Sequence, residues 1–264
     1  MTDKSILLNV NNGIATLTLN RPEKKNAFTI DMIDLWASAL ENWRNDPQVH
    51  VIVLTGSGND FCSGIDFSSF GAQEKLGPYE VKNLLWEKIH RIPLILQDID
   101  KPVIAVMRGL AIGAGLDIAL MCDMRFAADD AVFSEGYVKV GFVPGDGGAY
   151  YLPRLVGIAK ALELLWTGDN VDANEALRIG MINRVYPSEK LQEETYRFAK
   201  RLVNGPNAVI RMIKRATYQS SRMDLSSALD MISSHMGVIL ESKDSREALM
   251  ATAMRFSKKK NTDG

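Results

Sequence analysis

The sequence predicts an α/β protein with one folded core and an all-helical C-terminal part. Short apolar runs of strand length alternate with amphipathic stretches of helical length, which is typical of an α/β core. Beyond about Pro187 the pattern is helical throughout. With 264 residues, 46% of them hydrophobic, the chain is long enough to bury a large core without a disulfide or metal to stabilise it.

The elements follow from the periodicity of the apolar residues. We expect strands over residues 14–19, 51–55, 103–107 and 124–127, and helices over residues 31–43, 79–97 and 159–166. In the C-terminal part, Gly205 and Pro206 separate two helices, because proline cannot continue a helix and glycine is common just after one.

Two turns of small residues are the most informative feature of the chain. One is Phe-Cys-Ser-Gly-Ile-Asp-Phe at residues 61–67, and the other is Gly-Leu-Ala-Ile-Gly-Ala-Gly-Leu-Asp at residues 109–117. Each joins an apolar run to a turn in which a backbone N–H group can approach a ligand closely. Two such donors that converge on one oxygen would form an oxyanion hole.

The second turn also carries a candidate proton carrier. Residues 102–109 predict a buried strand and residues 116–122 an apolar helix, which would begin at the small residues 113–115. Free N–H groups and the positive end of the helix dipole favour negative charge there, and Asp117 falls in the first helical turn. The structural alternative is that the small residues only allow close packing and that Asp117 only complements the dipole.

Taken together, the motifs resemble those of the crotonase superfamily, also called the enoyl-CoA hydratase/isomerase family. The resemblance covers nearly the whole chain in the family's order. Its motifs are Ile-Ala-Thr-Leu-Thr-Leu-Asn-Arg-Pro (14–22) with Asn26-Ala27, Val-Ile-Val-Leu-Thr-Gly (51–56), the two turns, Val-Pro-Gly-Asp-Gly-Gly (143–148), Leu-Pro-Arg-Leu-Val-Gly (152–157) and Ala-Leu-Arg-Ile-Gly-Met-Ile-Asn-Arg-Val (176–185).

The resemblance implies a ClpP/crotonase-like spiral of β-β-α repeats with a C-terminal helical oligomerisation region. Residues 1–187 would be the core that binds acyl-CoA, and residues 188–264 the helical region that builds a homotrimer or a dimer of trimers. The thioester carbonyl would lie between the backbone N–H groups at the positions of Ile65 and Ala114. Lys25, Ala27, Ser63 and Asp66 are the candidates for contacts with the substrate and its CoA moiety.

The acid and base residues depart from the family's usual pair. Hydratases of the family use two glutamates, and these correspond to Asp117 and Tyr137 in this chain. Tyrosine has a reference pKa of about 10, so it donates a hydrogen bond but is a poor base near pH 7. Tyr137 would then contact the substrate directly or only pack against the acyl pocket.

Two further carboxyl groups could restore an acid and base pair. Asp146 lies in the loop that crosses near the acyl group in this family, although it could instead cap the helix that begins near Gly147. Glu135 precedes Tyr137 by two residues, and in an extended segment that spacing points both side chains to one face. Its structural alternative is an ordinary surface or salt-bridging residue.

Three functions remain open from the sequence. The first is a hydratase that adds water across the 2,3 double bond of an enoyl-CoA. The second is an enoyl- or dienoyl-CoA isomerase, in which one carboxylate moves a proton along the acyl chain. The third is a crotonase-like protein that has lost catalysis and only binds a partner, since the second glutamate is missing.

Other chemistries and partners fit the sequence poorly. The three histidines lack metal-ligand spacing, the two cysteines form no CxxC pair, and no G-x-S-x-G elbow is present. We therefore expect no metal and no cofactor, with coenzyme A present only as part of the substrate. A net charge of −1 argues against nucleic acid. Few cysteines and an N-terminus without a long apolar run predict a cytoplasmic protein that does not associate with membranes.

Overall fold

Two sheets form the framework of residues 5–68 and 76–260, the parts of the chain that the computed structural model describes, with side chains to residue 254. The larger sheet has the order β1-β2-β3-β4-β6-β9, and the smaller sheet has the order β5-β7-β8. The strands are β1 (Ile6–Asn11), β2 (Ile14–Leu19), β3 (Val51–Gly56), β4 (Val103–Met107), β5 (Leu110–Ile112), β6 (Met124–Ala128), β7 (Val132–Ser134), β8 (Val171–Asp172) and β9 (Arg184–Tyr186).

Helices connect these strands and make up the described C-terminal part. They are α1 (Ile30–Asn45), α2 (Pro78–Leu84), α3 (Arg91–Asp98), α4 (Ala114–Leu120), α5 (Gly148–Val156), α6 (Ile158–Thr167), α7 (Ala173–Arg178), α8 (Leu191–Val203), α9 (Asn207–Ser220), α10 (Leu225–Leu240) and α11 (Lys243–Lys260). Short 3₁₀ turns cover Pro22–Lys24 and Gly136–Val140, and a π-helical turn covers Leu85–Ile89. None of the described helices is long and apolar enough to cross a membrane.

The larger sheet is parallel from β2 to β9, and only β1 pairs with its neighbour in the antiparallel sense. The central strand β4 is apolar and buried along its whole length, and β3 is so over its first four residues, as expected where helices cover both faces of a parallel sheet. One face packs against helices that include α1, α3 and α4, where Trp36 is fully buried. The other face packs against α8 through Leu191 and Ala199.

The strand predictions are confirmed. Residues 14–19 and 103–107 form strands at the expected bounds, and the strands expected over 51–55 and 124–127 each run one residue further. Gly205 and Pro206 separate α8 from α9 as expected. The proposed boundary at residue 187 stays a prediction. α8 follows this boundary in the chain and packs on the larger sheet.

The helical stretch expected over residues 79–97 is confirmed, but it is not one continuous α-helix. This stretch contains α2, the π-helical turn and α3, and the backbone N–H of His90 donates to the carbonyl of Leu85 at 2.8 Å. Pro93 explains the break, because proline has no N–H and is tolerated only in the first turn of a helix. The chain therefore starts a new helix at Arg91, two residues before Pro93.

Candidate active site

Three segments leave the smaller sheet side by side. β5 pairs with β7 in parallel, with Ile112 opposite Ser134, and Cys62 forms a parallel bridge with Ala111. The carboxyl ends of parallel strands meet at the same edge of a sheet. The turn after Cys62, the turn after Ile112 and the residues after Ser134 are therefore neighbours in space.

The two turns of small residues contact each other through glycines. Gly64 has a φ of 101° and Gly113 a φ of 52°, which is the left-handed region that favours glycine. A Cβ on Gly64 would lie 3.6 Å from the backbone nitrogen of Ala114, and a Cβ on Gly115 would collide with the carbonyl of Cys62. Larger residues at these positions would separate the turns.

The turn geometry leaves two backbone N–H groups available for a ligand. Phe28 pairs with Gly64 and Asp66 at 2.9 and 2.8 Å, so the N–H of the intervening Ile65 points to the opposite side. Ala114 is the first residue of α4, where an N–H has no acceptor within the helix. These are the two donors predicted for the oxyanion hole, and their role stays a prediction.

A buried cluster of acids lies next to this turn. Asp117 is in the first turn of α4 and is fully buried. The hydroxyl oxygen of Tyr137 lies 2.6 Å from Oδ2 of Asp117 and 2.8 Å from Oδ2 of Asp146. A phenol has one proton, so it donates to one carboxylate while the other carboxyl group must be protonated and donate to the phenol. The Tyr137 ring also lies beside Gly113, where an added Cβ would be 3.7 Å from the ring.

Glu135 is the third carboxyl group of the cluster, and it is only 2% exposed. A Cβ on Gly148, the first residue of α5, would lie 3.0 Å from both carboxyl oxygens of Glu135 and would collide with Oδ1 of Asp117. The two acids therefore converge on the same backbone position. Both oxygens of Glu135 and Oδ1 of Asp117 form no hydrogen bond of normal geometry with the described residues.

Burial governs the ionisation of the cluster. It raises the pKa of Asp117 to about 7, a shift that the Tyr137 hydroxyl opposes and the charge of Asp146 increases. Burial and the charge of Asp117 raise the pKa of Glu135 well above its ordinary value, and burial also raises the pKa of Asp146. Burial and the neighbouring carboxylates raise the pKa of Tyr137, which keeps it neutral. Carboxyl groups that titrate near neutral pH suit general acid and base catalysis.

The structure corrects three expectations about these acids. Asp146 does not cap α5, because Gly147 occupies the capping position without a side-chain bond and the carboxyl group of Asp146 is hydrogen-bonded to the Tyr137 hydroxyl instead. Glu135 and Tyr137 do not lie in an extended segment, since β7 ends at Ser134 and a 3₁₀ turn begins at Gly136. Glu135 is also not a surface or salt-bridging residue, because it is buried and forms no ion pair with the described residues.

The predicted contacts for the substrate and CoA lie together beside the first turn. The N–H of Ser63 donates to the carbonyl of Lys25 at 3.0 Å. The guanidinium group of Arg21 donates to the carbonyl of Ala27 at 2.7 Å and to Asp66 at 2.8 Å. The structure therefore brings all four predicted residues to one patch, and their binding roles stay predictions.

Two structural residues of this patch were missed from the sequence alone. Arg21 bridges Ala27 and Asp66, and with Ser68 it holds the pKa of Asp66 at about 2, the bonds from Ser68 being the larger cause. The fully buried Asn26 accepts from the N–H of Arg21 at 2.9 Å and donates to two loop carbonyls at 2.7 and 2.8 Å. Arg21 and Asn26 both belong to the N-terminal motif, and this motif is the sequence signal that could have identified them.

An enzyme that stabilises an enolate and transfers protons needs backbone donors for the oxyanion and acidic groups close to them, and the site has both kinds of group side by side. The family model for enoyl-CoA hydratase/isomerase matches residues 9–261. The crotonyl-CoA hydratase of Syntrophomonas wolfei is 33% identical, with 95% of each chain covered. The short-chain-enoyl-CoA hydratase of Clostridium acetobutylicum is 31% identical, with 98% of this chain and 97% of the relative covered.

Solved structures agree with the sequence relatives. An enoyl-CoA hydratase from Mycobacterium smegmatis superimposes with a TM-score of 0.89 at 30% identity, covering 95% of this chain and 96% of that one. An enoyl-CoA hydratase subunit I from Geobacillus kaustophilus superimposes with a TM-score of 0.87 at 32% identity, covering 95% of each chain. The chain belongs to the enoyl-CoA hydratase/isomerase family, and it has the α/β fold of the crotonase superfamily.

Proposed function

We propose that this protein is an enoyl-CoA hydratase that adds water across the 2,3 double bond of a short-chain enoyl-CoA. The observation that carries the proposal is the Tyr137 hydroxyl, which joins Asp117 and Asp146 at 2.6 and 2.8 Å. This arrangement supplies an acid and a base beside two available backbone donors, although the family's second glutamate is absent. The activities named for the two sequence relatives support the same assignment.

The backbone donors at Ile65 and Ala114 would hold the thioester carbonyl. As water attacks C3, negative charge develops on the carbonyl oxygen of the enolate. Each N–H placed at that oxygen is worth about 3 to 4 kcal/mol of transition-state stabilisation, judged from the loss of one donor in other enzymes. The side chains at these two positions matter less than the glycines that hold the turns in contact.

The carboxyl groups would carry the protons of the reaction. Ionised Asp117 takes a proton from water as the oxygen of that water bonds to C3, and protonated Asp146 gives its proton to C2. The proton gained by Asp117 then passes through the Tyr137 hydroxyl to Asp146, which restores the starting state. One water is consumed, and its hydroxyl and a proton are added to the acyl chain, so no cofactor beyond the CoA ester is needed.

The protonation states fit this cycle. With a pKa of about 7, Asp117 is partly ionised at neutral pH and can serve as a base. Burial raises the pKa of Asp146, so this carboxyl group can hold a proton that an exposed aspartate would lose. Proton transfer of this kind contributes about 10²- to 10⁴-fold to the rate.

The C-terminal helices would assemble the protein into a homotrimer or a dimer of trimers. Large apolar side chains lie exposed on α10 and α11, and burying them against other copies would stabilise the assembly. They include Leu225, Leu229, Ile232, Met236, Leu249, Met250 and Met254. In this proposal residues 188–264 form the assembly region and residues 1–187 the core that binds acyl-CoA, in a cytoplasmic enzyme.

Isomerisation is the second candidate, and the same bridge of Tyr137 favours it. A hydroxyl that joins two carboxyl groups can return a proton to a different carbon from the one that lost it. The site would then convert a 3-enoyl-CoA to its conjugated isomer without consuming water. Hydration ranks first because both named relatives are hydratases.

The test is hydration of crotonyl-CoA, followed by the loss of absorbance of the conjugated thioester. We expect turnover by the wild-type protein and a loss of at least about 100-fold in Asp117→Asn, which keeps the size of the side chain but removes the base. The matched control is Glu189→Gln, which changes an exposed carboxylate on the surface and should leave the rate unchanged. A fully active Asp117→Asn variant would refute the proposed role of this residue.

A further inference from the structure

We propose that Glu135 is a positioning residue that keeps a proton and donates it in a hydrogen bond to Oδ1 of Asp117, which holds Asp117 ionised as the base. The inference deepens the proposed function and rests on it for the role of Asp117. It concerns a residue outside the acid and base pair that moves the protons of the reaction.

The first observation is a set of three buried acceptors that lack a hydrogen bond. Both oxygens of Glu135 and Oδ1 of Asp117 form no hydrogen bond of normal geometry with the described residues when the two groups are carboxylates, although the N–H of Gly148 lies close enough to Asp117 to lower its pKa. Buried polar atoms without partners are rare because they lose their hydrogen bonds to water. A proton on one of the two carboxyl groups turns an acceptor into a donor, and the hydrogen bond it forms gives two of these three oxygens a partner.

The second observation is that the two carboxyl groups face each other across Gly148. A Cβ at this position would approach Oδ1 of Asp117 and both oxygens of Glu135 together. Glycine therefore leaves the first turn of α5 open for the two acids. The closeness of the two carboxyl groups also raises the pKa of Glu135 and lowers that of Asp117.

The other contacts decide which group keeps the proton. Asp117 already accepts the Tyr137 hydroxyl at Oδ2, at 2.6 Å, whereas Glu135 has no other donor in the described structure. Hydrogen bonds to a carboxylate stabilise its charged form, so Asp117 ionises and Glu135 stays neutral. The proton of Glu135 then lowers the pKa of Asp117 without being consumed in the reaction.

Among the described residues, the titratable groups around Glu135 provide no compensating positive charge. Asp117 faces it from α4, and Asp146, from the loop before α5, raises its pKa further whenever Asp146 is ionised. Tyr137 follows it in the 3₁₀ turn, and His90 acts on Asp146 rather than on Glu135. A second carboxylate beside Asp117 would repel it, so a neutral Glu135 is the arrangement that keeps the base charged.

Two variants of Glu135 distinguish a role as a hydrogen-bond donor from a role as a carboxylate. Glu135→Gln keeps a donor towards Asp117, so we expect kcat/KM for crotonyl-CoA within about threefold of wild type and an unchanged acidic limb of the pH profile. Glu135→Leu removes the donor, so we expect the acidic limb to move up by about one pH unit and kcat/KM below that limb to fall by about tenfold.

Infrared difference spectra of the resting enzyme provide a readout that does not depend on activity. Wild type near neutral pH should show the C=O band of a protonated buried carboxyl group that is lost in Glu135→Gln and kept in Glu189→Gln. An inactive wild-type protein that still shows this band would support the protonation of Glu135 and refute only the proposed function.

Two results would overturn the proposal. The first is the absence of a protonated carboxyl band that belongs to Glu135. The second is an equal loss of activity in Glu135→Gln and Glu135→Leu without a shift of the acidic limb, which would mean that Glu135 acts as a carboxylate.

Discussion

Replacement of Tyr137 by phenylalanine removes the single atom that joins the two acids of the proposed pair. The hydroxyl lies 2.6 Å from Asp117 and 2.8 Å from Asp146, and hydrogen bonds to charged groups contribute about 1.5 to 3 kcal/mol. Since one pKa unit corresponds to about 1.4 kcal/mol, the loss should raise the pKa of Asp117 by about one to two units.

The assay is kcat/KM for crotonyl-CoA hydration as a function of pH. The pKa of Asp117 is about 7 in the native cluster. In Tyr137→Phe the acidic limb should move up by about one to two pH units, and the rate at pH 7 should fall by at least about 100-fold because the proton return to Asp146 is also lost.

Tyr218→Phe is the matched control. It removes a tyrosine hydroxyl that donates to Asp123 at 2.9 Å, outside the acid cluster. This variant should lose a similar hydrogen bond without moving the acidic limb. If Tyr137→Phe behaves like the control, Tyr137 only packs in the site and the proton path through its hydroxyl is wrong.

Three further results are expected from the same cluster. Gly148→Ala places a Cβ against Asp117 and Glu135, so it should destabilise the protein by about 1 to 3 kcal/mol and reduce kcat. The control Gly237→Ala, with open space around the added Cβ, should neither destabilise the protein nor reduce kcat. Equal unfolding midpoints and equal rates for the two variants would contradict this expectation. The pKa of Asp117 rises from 3.8 to about 7 on folding, so the contribution of this group to the free energy of unfolding should be largest below about pH 4 and should be lost, by up to about 4 kcal/mol, as pH rises through 7. In a series of denaturant titrations, Asp117→Asn should remove most of this slope, and a slope equal to that of wild type would show that Asp117 does not titrate as described.

The sequence predicts the framework well because its signals are local. Residues 103–107 are an apolar run, and residues 14–19 are mostly apolar with two threonines; both patterns are typical of strands. The glycines at the two turns mark where the backbone must approach another segment. The start of α4 at the small residues, with Asp117 in its first turn, follows from the same local pattern.

The acid cluster could be predicted only in part, because it depends on contacts between elements. The sequence names Asp117, Tyr137 and Asp146, but the bridge between them arises when a 3₁₀ turn and the loop before α5 pack over α4. The buried position of Glu135 depends on Gly148, thirteen residues later in the chain and on another element. Periodicity carries no information about such a contact.

The central claim is that the cluster around Asp117 adds water to a conjugated enoyl-CoA. Incubation with crotonyl-CoA and, separately, with a 3-enoyl-CoA in D₂O, followed by mass spectrometry, tests it most directly, with Asp117→Asn as the control. We expect crotonyl-CoA to gain the mass of D₂O in the wild-type reaction and not in the control. Conversion of the 3-enoyl ester to its conjugated isomer, with no water added to crotonyl-CoA, would contradict it.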